Sequence, residues 1–498
     1  MRQLVISSDN KSPKLLIPLV VIAAVGIGWG TAQFGLLVPG LMLSLLLILP
    51  FLYTVFKEPK AGIIAFIAYC FIFNFFTREI GHFQYLYIIE GLLVLSWIAA
   101  IFHTTKDYDW SLLKSEICVL GAIWMLINFV ELFNPAGASL LGWLVDMRYP
   151  LLWLLIVPLC MVVFNTKKDL NIFLILIIGM SLLATLNGVK QVTIGMFPGE
   201  HAWLTSSGYK THVIFGQLRA FSFYIDASQF GSSQAHLLIV ALVLALGPFK
   251  MWKRVLCGLA AIAFLYGESI SGTRGALFTI FIGMTVVLFI NKNLKLFTLA
   301  LLLAVTGFCF LKYTTIGQSH FEIRRMRSAL RPNDASLNTR FNNQAKLQDY
   351  LASRPFGGGV GTIGYTGKHY NSGTYLASIP PDSYWVKIWA EYGIVGFVIW
   401  ISLMMYIIGK CCGIVWTTKD KGLKFKLTAL TAGSTAIVIS SYGNELMNVM
   451  PSAMIIYVSW AFIFLGPKLD KEIEEQQLLA SQENQEEEEQ QQQLPTYA

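Results

Sequence analysis

Long apolar blocks, joined by short polar connections, run along most of the chain. A helix of about 20 residues crosses a hydrocarbon core of ~30 Å, and lipid cannot satisfy the polar groups of a non-helical backbone. The pattern therefore predicts an all-α, polytopic transmembrane helical bundle of about 12–14 spans. The predicted spans are residues 15–31, 35–56, 61–77, 86–102, 117–133, 149–164, 171–189, 227–247, 255–267, 275–290, 296–311, 386–408, 427–445 and 452–466.

The composition supports a membrane protein over a set of soluble domains. Hydrophobic residues make up 55% of the chain and charged residues 13%, whereas soluble domains carry roughly 25% charged residues. The first block follows Lys11 and Lys14 and has no small-residue cleavage site. We therefore predict a retained helix there and not a signal peptide.

The placement of lysine and arginine predicts the orientation. With the N-terminus inside and fourteen crossings, the inside segments hold 21 Lys and Arg, and the short outside loops hold only Arg78, Arg148 and Arg274. The positive-inside rule then places both termini in the cytoplasm. The active face of the molecule is expected to be extracytoplasmic.

The same pattern divides the chain into six regions. The inside connections are mostly short, but two outside segments are long and rich in aromatic residues, which predicts that they pack and carry function. The regions are N-terminal helices (1–189), a first long loop (190–226), further helices (227–311), a large loop (312–385), C-terminal helices (386–467) and a tail (468–498).

The tail is predicted to be disordered. From Asp470 to Ala498 it holds nine acidic residues and one lysine, and it has too few apolar residues to build a core. A solvated cytoplasmic extension is the simpler interpretation, and an interaction tail is the alternative.

The large loop contains three recognisable features. Asn338 or Thr339 is placed to cap a helix that runs to Leu351 before Pro355, and a glycine turn, residues 357–361, follows. Asp382 or Ser383 is a natural N-cap for the next helix. Residues 359–364 match GxGxxG, but no strand precedes them, so we do not predict a dinucleotide site.

Arginines concentrate at the predicted outer boundary. They include Arg219, Arg274, Arg340, Arg354 and a run from Arg324 to Arg331. Guanidinium groups match phosphate oxygens, and boundary charges tend to mark sites. An outward-facing site for a lipid phosphate or diphosphate is the interpretation that we favour. Alternatively, the run could be an interfacial helix on anionic headgroups, and Arg274 could pair with Glu268 or Asp226.

Three stretches resemble the O-antigen ligase and O-antigen polymerase superfamily. The resemblance covers roughly residues 210–400. In the family, His-Asn commonly stands nine residues before the glutamate of a Glu-x-Gly-x-x-Gly stretch, whereas here Asp382-Ser383 precedes Glu391. The stretches are residues 219–231, residues 269–276 (Ser-Ile-Ser-Gly-Thr-Arg-Gly-Ala), and residues 339–396, which include Arg354-Pro355-Phe356-Gly357 and Ala390-Glu391-Tyr392-Gly393.

The resemblance implies a multi-pass enzyme of the bacterial inner membrane that works on the periplasmic side in lipopolysaccharide biosynthesis. Its donor would be a glycan linked to undecaprenyl diphosphate, and its acceptor a hydroxyl of lipid A-core, of another glycan or of a protein. It would contact membrane lipids and no nucleic acid. No metal or cofactor is expected.

The resemblance also suggests roles for residues. Arg219, Arg274 and Arg340 would bind the diphosphate. Asp382 is the candidate base, unless it only caps a helix. Possible supporting residues are Asp226, Glu391, Arg354 and His369.

Two other classes of function stay open. A transporter or flippase of an anionic lipid-linked glycan would be expected to have repeated halves and a site at the bilayer midplane, and neither is evident in the sequence. A non-catalytic assembly factor would have dispensable arginines.

Overall fold

The architecture was taken from a computed structural model, which describes residues 18, 24–26, 28–29, 31–35, 37–81, 86–103, 107–137, 139–292, 294–319, 321–328 and 335–492. The chain is 79% helical. The long helices are Leu37–Lys57, Lys60–Glu79, Leu86–Ile101, Glu116–Glu131, Arg148–Val163, Lys167–Thr193, Ala227–Leu246, Met251–Ser271, Arg274–Asn291, Leu294–Tyr313, Tyr384–Thr417, Lys421–Ser440, Ser452–Phe464 and Gly466–Gln492.

The predicted all-α membrane bundle is confirmed. Thirteen of the fourteen apolar blocks coincide with one of these helices, while most of the first block, 15–31, lies outside the described residues. Eight described helices are long and apolar enough to cross a membrane on their own, or nine if the bent pair Ser452–Phe464 and Gly466–Glu483 is one span. This number is below the predicted 12–14. One reason is that helices of 16 residues such as Leu86–Ile101 and Glu116–Glu131 reach only about 24 Å at 1.5 Å per residue.

The helix Ala227–Leu246 is at the centre of the bundle. In an apolar stretch of 18 residues within this helix, 83% of the residues are buried. The helix packs against Lys167–Thr193, Met251–Ser271, Arg274–Asn291 and Lys421–Ser440. Asp226 caps its first turn by accepting a hydrogen bond from the Gln229 N–H at 2.8 Å. This largely buried helix therefore begins next to residues that the sequence marks as candidate site residues.

The first long loop, residues 190–226, contains regular secondary structure. It contains the helices Pro198–Trp203 and Tyr209–His212 and a hairpin of the strands Val213–Ile214 and Gln217–Leu218. Arg78 holds the segment to the helix Lys60–Glu79 by donating to the backbone carbonyls of Ser222, Tyr224 and Ile225.

The large segment, 312–385, is mainly helical in its described part. It contains Phe321–Ser328, Ala335–Leu351 and Gly364–Tyr370. The helix expected to begin at Asn338 or Thr339 starts earlier, at Ala335, and ends at Leu351 as predicted. Leu347 and Leu351 pack with Ile363, Leu376 and Val386 in a small core of their own.

The tail differs from the prediction, because residues 466–492 are helical and not disordered. Leu469 and Ile473 are buried against the bundle and anchor the start of this helix. The glutamates and glutamines beyond them have high helix propensity, so the helix continues without a core of its own. Composition alone does not reveal this anchor.

Candidate functional site

Arg219 joins the hairpin to the turn between the helices Met251–Ser271 and Arg274–Asn291. Its side chain is 8% exposed. Its guanidinium donates to the backbone oxygens of Ser271 at 2.9 Å and Thr211 at 3.0 Å, and to Thr273 Oγ1 at 3.1 Å. All three acceptors are neutral, so these contacts hold the arginine in place without forming an ion pair.

Arg274 and Arg325 lie at the same turn and line a small pocket that is partly open to the surroundings. The Arg274 guanidinium donates to Ser328 Oγ at 3.3 Å, and the Arg325 Nε to the Gly272 carbonyl at 3.4 Å. We call this the arginine pocket. It is lined by Glu268, Ser269, Gly272, Thr273, Arg274, Leu277, Arg325 and Met326.

The alternative partners proposed for Arg274, Glu268 and Asp226, lie near the same turn, and a pairing with either stays an alternative. Asp226 is occupied as a helix cap. Glu268 is 2% exposed, and no hydrogen bond to its Oε2 is present in the described part of the chain. The arginine pocket thus brings two arginines and a buried carboxyl group, that of Glu268, to one turn.

The three arginines are close enough to influence one another. Burial lowers the pKa of Arg219 to about 10, with Arg325 and Arg274 lowering it further and Asp226 partly offsetting them. Three guanidinium groups that repel one another favour an anion between them. Arg325 belongs to the run 324–331, and its contact with Gly272 ties it to the pocket. Arg331 lies outside the described residues.

Asp382 is not the helix cap. The cap is Ser383, whose Oγ accepts from the Val386 N–H at 3.3 Å. Asp382 is exposed and has a φ of +48°, an uncommon backbone conformation for a residue other than glycine. Its carboxyl group is therefore not used by the helix.

Asp382 and Arg340 face each other across the entry to the helix Tyr384–Thr417. Loss of hydration raises the pKa of Asp382, and the cations of Arg340 and Lys368 lower it by less. Asn343, on the Arg340 helix, donates to the Pro380 carbonyl at 3.2 Å, which fixes that helix next to Asp382. Arg340 thus lies on the Asp382 side of the site, and not among the contacts of Arg219 and Arg274.

The segment 441–451 connects the two sides. The Gln229 side chain, at the start of the central helix, donates to the Glu445 carbonyl oxygen. The Tyr384 N–H donates to the Ser441 carbonyl at 3.0 Å. Burial raises the pKa of Glu445, while Lys387 and a hydrogen bond from Asn448 lower it by less, and Asp382 is near enough to raise it slightly. Arg219, Arg274, Asp382 and Arg340 are therefore at one end of the bundle.

Glu391 supports the glycine turn, residues 357–361. The turn runs beside a kink at Gly393 in the helix Tyr384–Thr417, and the N–H groups of Gly358 and Gly359 donate to the carbonyls of Ala390 and Glu391. Glu391 Oε1 accepts from the Gly361 N–H at 3.0 Å. A Cβ at Gly393 would lie 2.1 Å from the Pro355 carbonyl oxygen, so this contact requires glycine. The turn shapes the backbone and is not a nucleotide site.

A buried ion network, formed by Asp146, Lys387 and Glu391, lies under the turn. Lys387 Nζ is 2.9 Å from Asp146 Oδ2 and 4.0 Å from Glu391 Oε1. Thr366 Oγ1 donates to Asp146 Oδ1 at 2.9 Å. The sequence analysis did not identify Asp146 and Lys387. The sequence signal that could have identified Lys387 is a lysine four residues before a glutamate in an apolar helix, because this spacing places both side chains on one face.

Residues 259–401 match the O-antigen ligase family. This segment is similar to an O-antigen ligase domain. The match confirms the resemblance and spans Arg274, Arg325, Arg340, Asp382 and Glu391. No curated protein and no solved structure is significantly similar to the chain.

The remaining candidates, Arg354, His369 and Asp226, do not line the arginine pocket. Arg354 stacks its guanidinium 4.1 Å from the centroid of the Tyr350 ring and donates to the Tyr350 carbonyl. His369 is exposed and stacks on Tyr365. Neither touches the arginine pocket through a hydrogen bond, and their supporting roles stay predictions, as does that of Asp226.

A metal site was considered as well. Within the described ranges, no group of three or more His, Cys, Asp and Glu side chains is arranged to hold a metal ion. The expectation of a metal-independent reaction stays a prediction.

Proposed function

We propose that this protein transfers a glycan from undecaprenyl diphosphate to an acceptor hydroxyl at the extracytoplasmic face of the bacterial inner membrane. The O-antigen ligase domain supports a membrane glycosyltransferase of the ligase or polymerase type. The observation that carries the proposal is the arrangement of Arg219, Arg274 and Arg325 around one turn of that domain.

The arginine pocket would bind the diphosphate. In the reaction the acceptor oxygen forms a bond to the anomeric carbon, and the bond from that carbon to the diphosphate oxygen breaks. The leaving diphosphate gains negative charge. Fixed guanidinium groups near a low-dielectric boundary stabilise such charge without reorganisation. Arg219, held by three neutral acceptors, is already in position before substrate arrives.

Asp382 would remove the proton from the acceptor hydroxyl. It replaces the histidine of the family pattern, its carboxyl group is free of the helix cap, and its raised pKa makes it a better base than an ordinary aspartate. Arg340, on the same side, would then stabilise the negative charge of the diphosphate or of the developing alkoxide.

Transfer by the purified protein tests the proposal. Proteoliposomes would receive a glycan linked to undecaprenyl diphosphate and, in parallel, the same glycan linked to undecaprenyl monophosphate, with candidate acceptors added in turn. We expect a glycosylated acceptor only from the diphosphate. Movement of the donor across the bilayer without transfer would support the transporter instead.

A further inference from the structure

A second pocket lies next to the glycine turn. It has about 430 Å³ of free space, part of it open to the surroundings. We call it the Glu131 pocket. It is formed by the end of the helix Glu116–Glu131, the connection to the helix Leu140–Asp146 and the turn, with the lining residues Glu131, Leu132, Gly137, Ser139, Leu140, Trp143 and Val360.

The polar groups of this pocket are suited to hydroxyls. Glu131 is 8% exposed, and Asn134 Nδ2 donates to its Oε2 at 2.8 Å. Among the described residues, no hydrogen bond reaches its Oε1. Ser139 Oγ accepts from the Gly142 N–H, which leaves the hydroxyl proton for a ligand. A carboxylate accepts and never donates when ionised, so it matches a ligand that offers O–H groups.

The walls of the pocket are built from close backbone contacts. A Cβ on Gly359 would lie 2.6 Å from the Gly137 Cα, and one on Gly361 would lie 2.4 Å from the Gly142 backbone. Asn134 also donates to the Phe356 carbonyl at 2.9 Å. Because the two backbones touch, the pocket is formed before a ligand binds, and it is tied to the turn that Glu391 supports.

The rim of the pocket is apolar. Of the residues that line it, Leu140 is 61% exposed and Leu132 is 38% exposed. Exposed apolar side chains on a membrane bundle face lipid. A ligand that satisfies both the carboxylate and this rim has a hydroxyl-rich headgroup on a lipid anchor.

We propose that the Glu131 pocket binds a sugar residue of a lipid-anchored acceptor, whose hydroxyls donate to the Glu131 carboxylate. The inference rests on the proposed function. The carboxylate repels the diphosphate group of the donor, whereas a neutral sugar gains charge-assisted hydrogen bonds. The arginine pocket and the Glu131 pocket thereby separate the donor from the acceptor.

Glu131→Gln tests the assignment, with Glu116→Gln as the matched control. Glu116 is the first residue of the same helix, is exposed and pairs with Lys410 at 2.8 Å. Transfer would be measured in proteoliposomes at saturating donor with lipid A-core as the acceptor probe. We expect Glu131→Gln to raise the acceptor KM about tenfold or more, with the donor KM unchanged. Glu131→Asp, which keeps the charge on a shorter arm, should give an intermediate acceptor KM, and Glu116→Gln should match the parent.

Several results would overturn the inference. One is an unchanged acceptor KM in both Glu131 variants, and another is a raised donor KM in place of the acceptor KM. Equal use of the oligosaccharide without its acyl chains, or of a protein acceptor, would remove the lipid anchor from the argument.

Binding of the acceptor without donor separates a failure of the pocket from a failure of the proposed function. Binding of fluorescent lipid A-core to the protein without any donor should weaken in Glu131→Gln and stay normal in Arg274→Ala. If binding follows this pattern but no transfer occurs from any donor, the proposed function fails and the pocket stands. If transfer occurs and binding is indifferent to Glu131, only the pocket fails.

Discussion

The arginine pocket and the buried ion network both bring charge into the bundle, but they compensate it differently. Lys387 is surrounded by carboxylates, with Asp146 at 2.9 Å and Glu391 at 4.0 Å. Arg219 is equally buried, yet its hydrogen bonds go to two carbonyls and a hydroxyl. The first arrangement pairs its cation with carboxylates of the protein, whereas the hydrogen bonds of Arg219 use neutral acceptors and leave its charge available to an anion.

This difference separates structure from function within one domain. A buried cation that is paired with carboxylates of the protein contributes to the stability of the fold. Removal of one partner leaves the other buried and unpaired. A buried cation that is held by neutral acceptors destabilises the fold more. Binding of a negatively charged ligand offsets this loss of stability. Such sites are where intramembrane and boundary charges tend to act.

The largest effect is expected from Arg274→Ala. Loss of one preorganised charge at the leaving diphosphate should lower kcat by about 100- to 1,000-fold, and Arg274→Lys should recover only part of it because lysine lacks the planar fork. The measurement is the initial rate of glycan transfer in proteoliposomes. Arg254→Ala removes an exposed arginine whose Nε bonds the Ala245 carbonyl and should leave the rate normal. A normal rate in Arg274→Ala would remove this arginine from the site.

Lys387→Ala should act on stability before it acts on chemistry. It leaves Asp146 and Glu391 buried without their cation, which costs about 3–5 kcal/mol. Thermal unfolding in detergent measures this loss. Lys410→Ala, in the same helix, breaks an exposed pair with Glu116 and should leave the melting temperature nearly unchanged. Equal behaviour of the two variants would contradict the contrast drawn above.

Asp382→Asn and Ser383→Ala should separate the base from the cap. If Asp382 takes the hydroxyl proton, Asn should lower kcat by about 100-fold without changing the unfolding temperature. Ser383→Ala removes the cap and should cost about 1 kcal/mol of stability while keeping most of the rate. Transfer rates and thermal unfolding of both variants decide this. A large rate loss in Ser383→Ala at normal stability would reverse the assignment.

The sequence predicts the helices well, but it predicts poorly which distant residues come into contact. Apolar block length is a local property, so thirteen of the fourteen blocks coincide with helices. Arg219 and Arg274 were selected because a boundary charge is costly wherever the chain folds. The pair of Asp146 and Lys387 joins positions 241 residues apart, and no local pattern predicts that distance. The Glu131 pocket depends on two glycine-rich backbones that touch only after folding.

The pH dependence of transfer is the prediction with the smallest expected effect. Loss of hydration raises the pKa of Asp382, and Arg340 and Lys368 hold it down. Because the base must be ionised, the rate should fall as the pH drops through this raised pKa, above the ~3.9 of an ordinary aspartate. Lys368→Gln removes a cation that favours the carboxylate, so the acid limb should move to higher pH. Because Lys368 is exposed, salt should weaken that shift. A pH–rate profile of the parent, Lys368→Gln and Asp382→Asn measures all three. An acid limb that persists unchanged in Asp382→Asn would show that another group takes the proton.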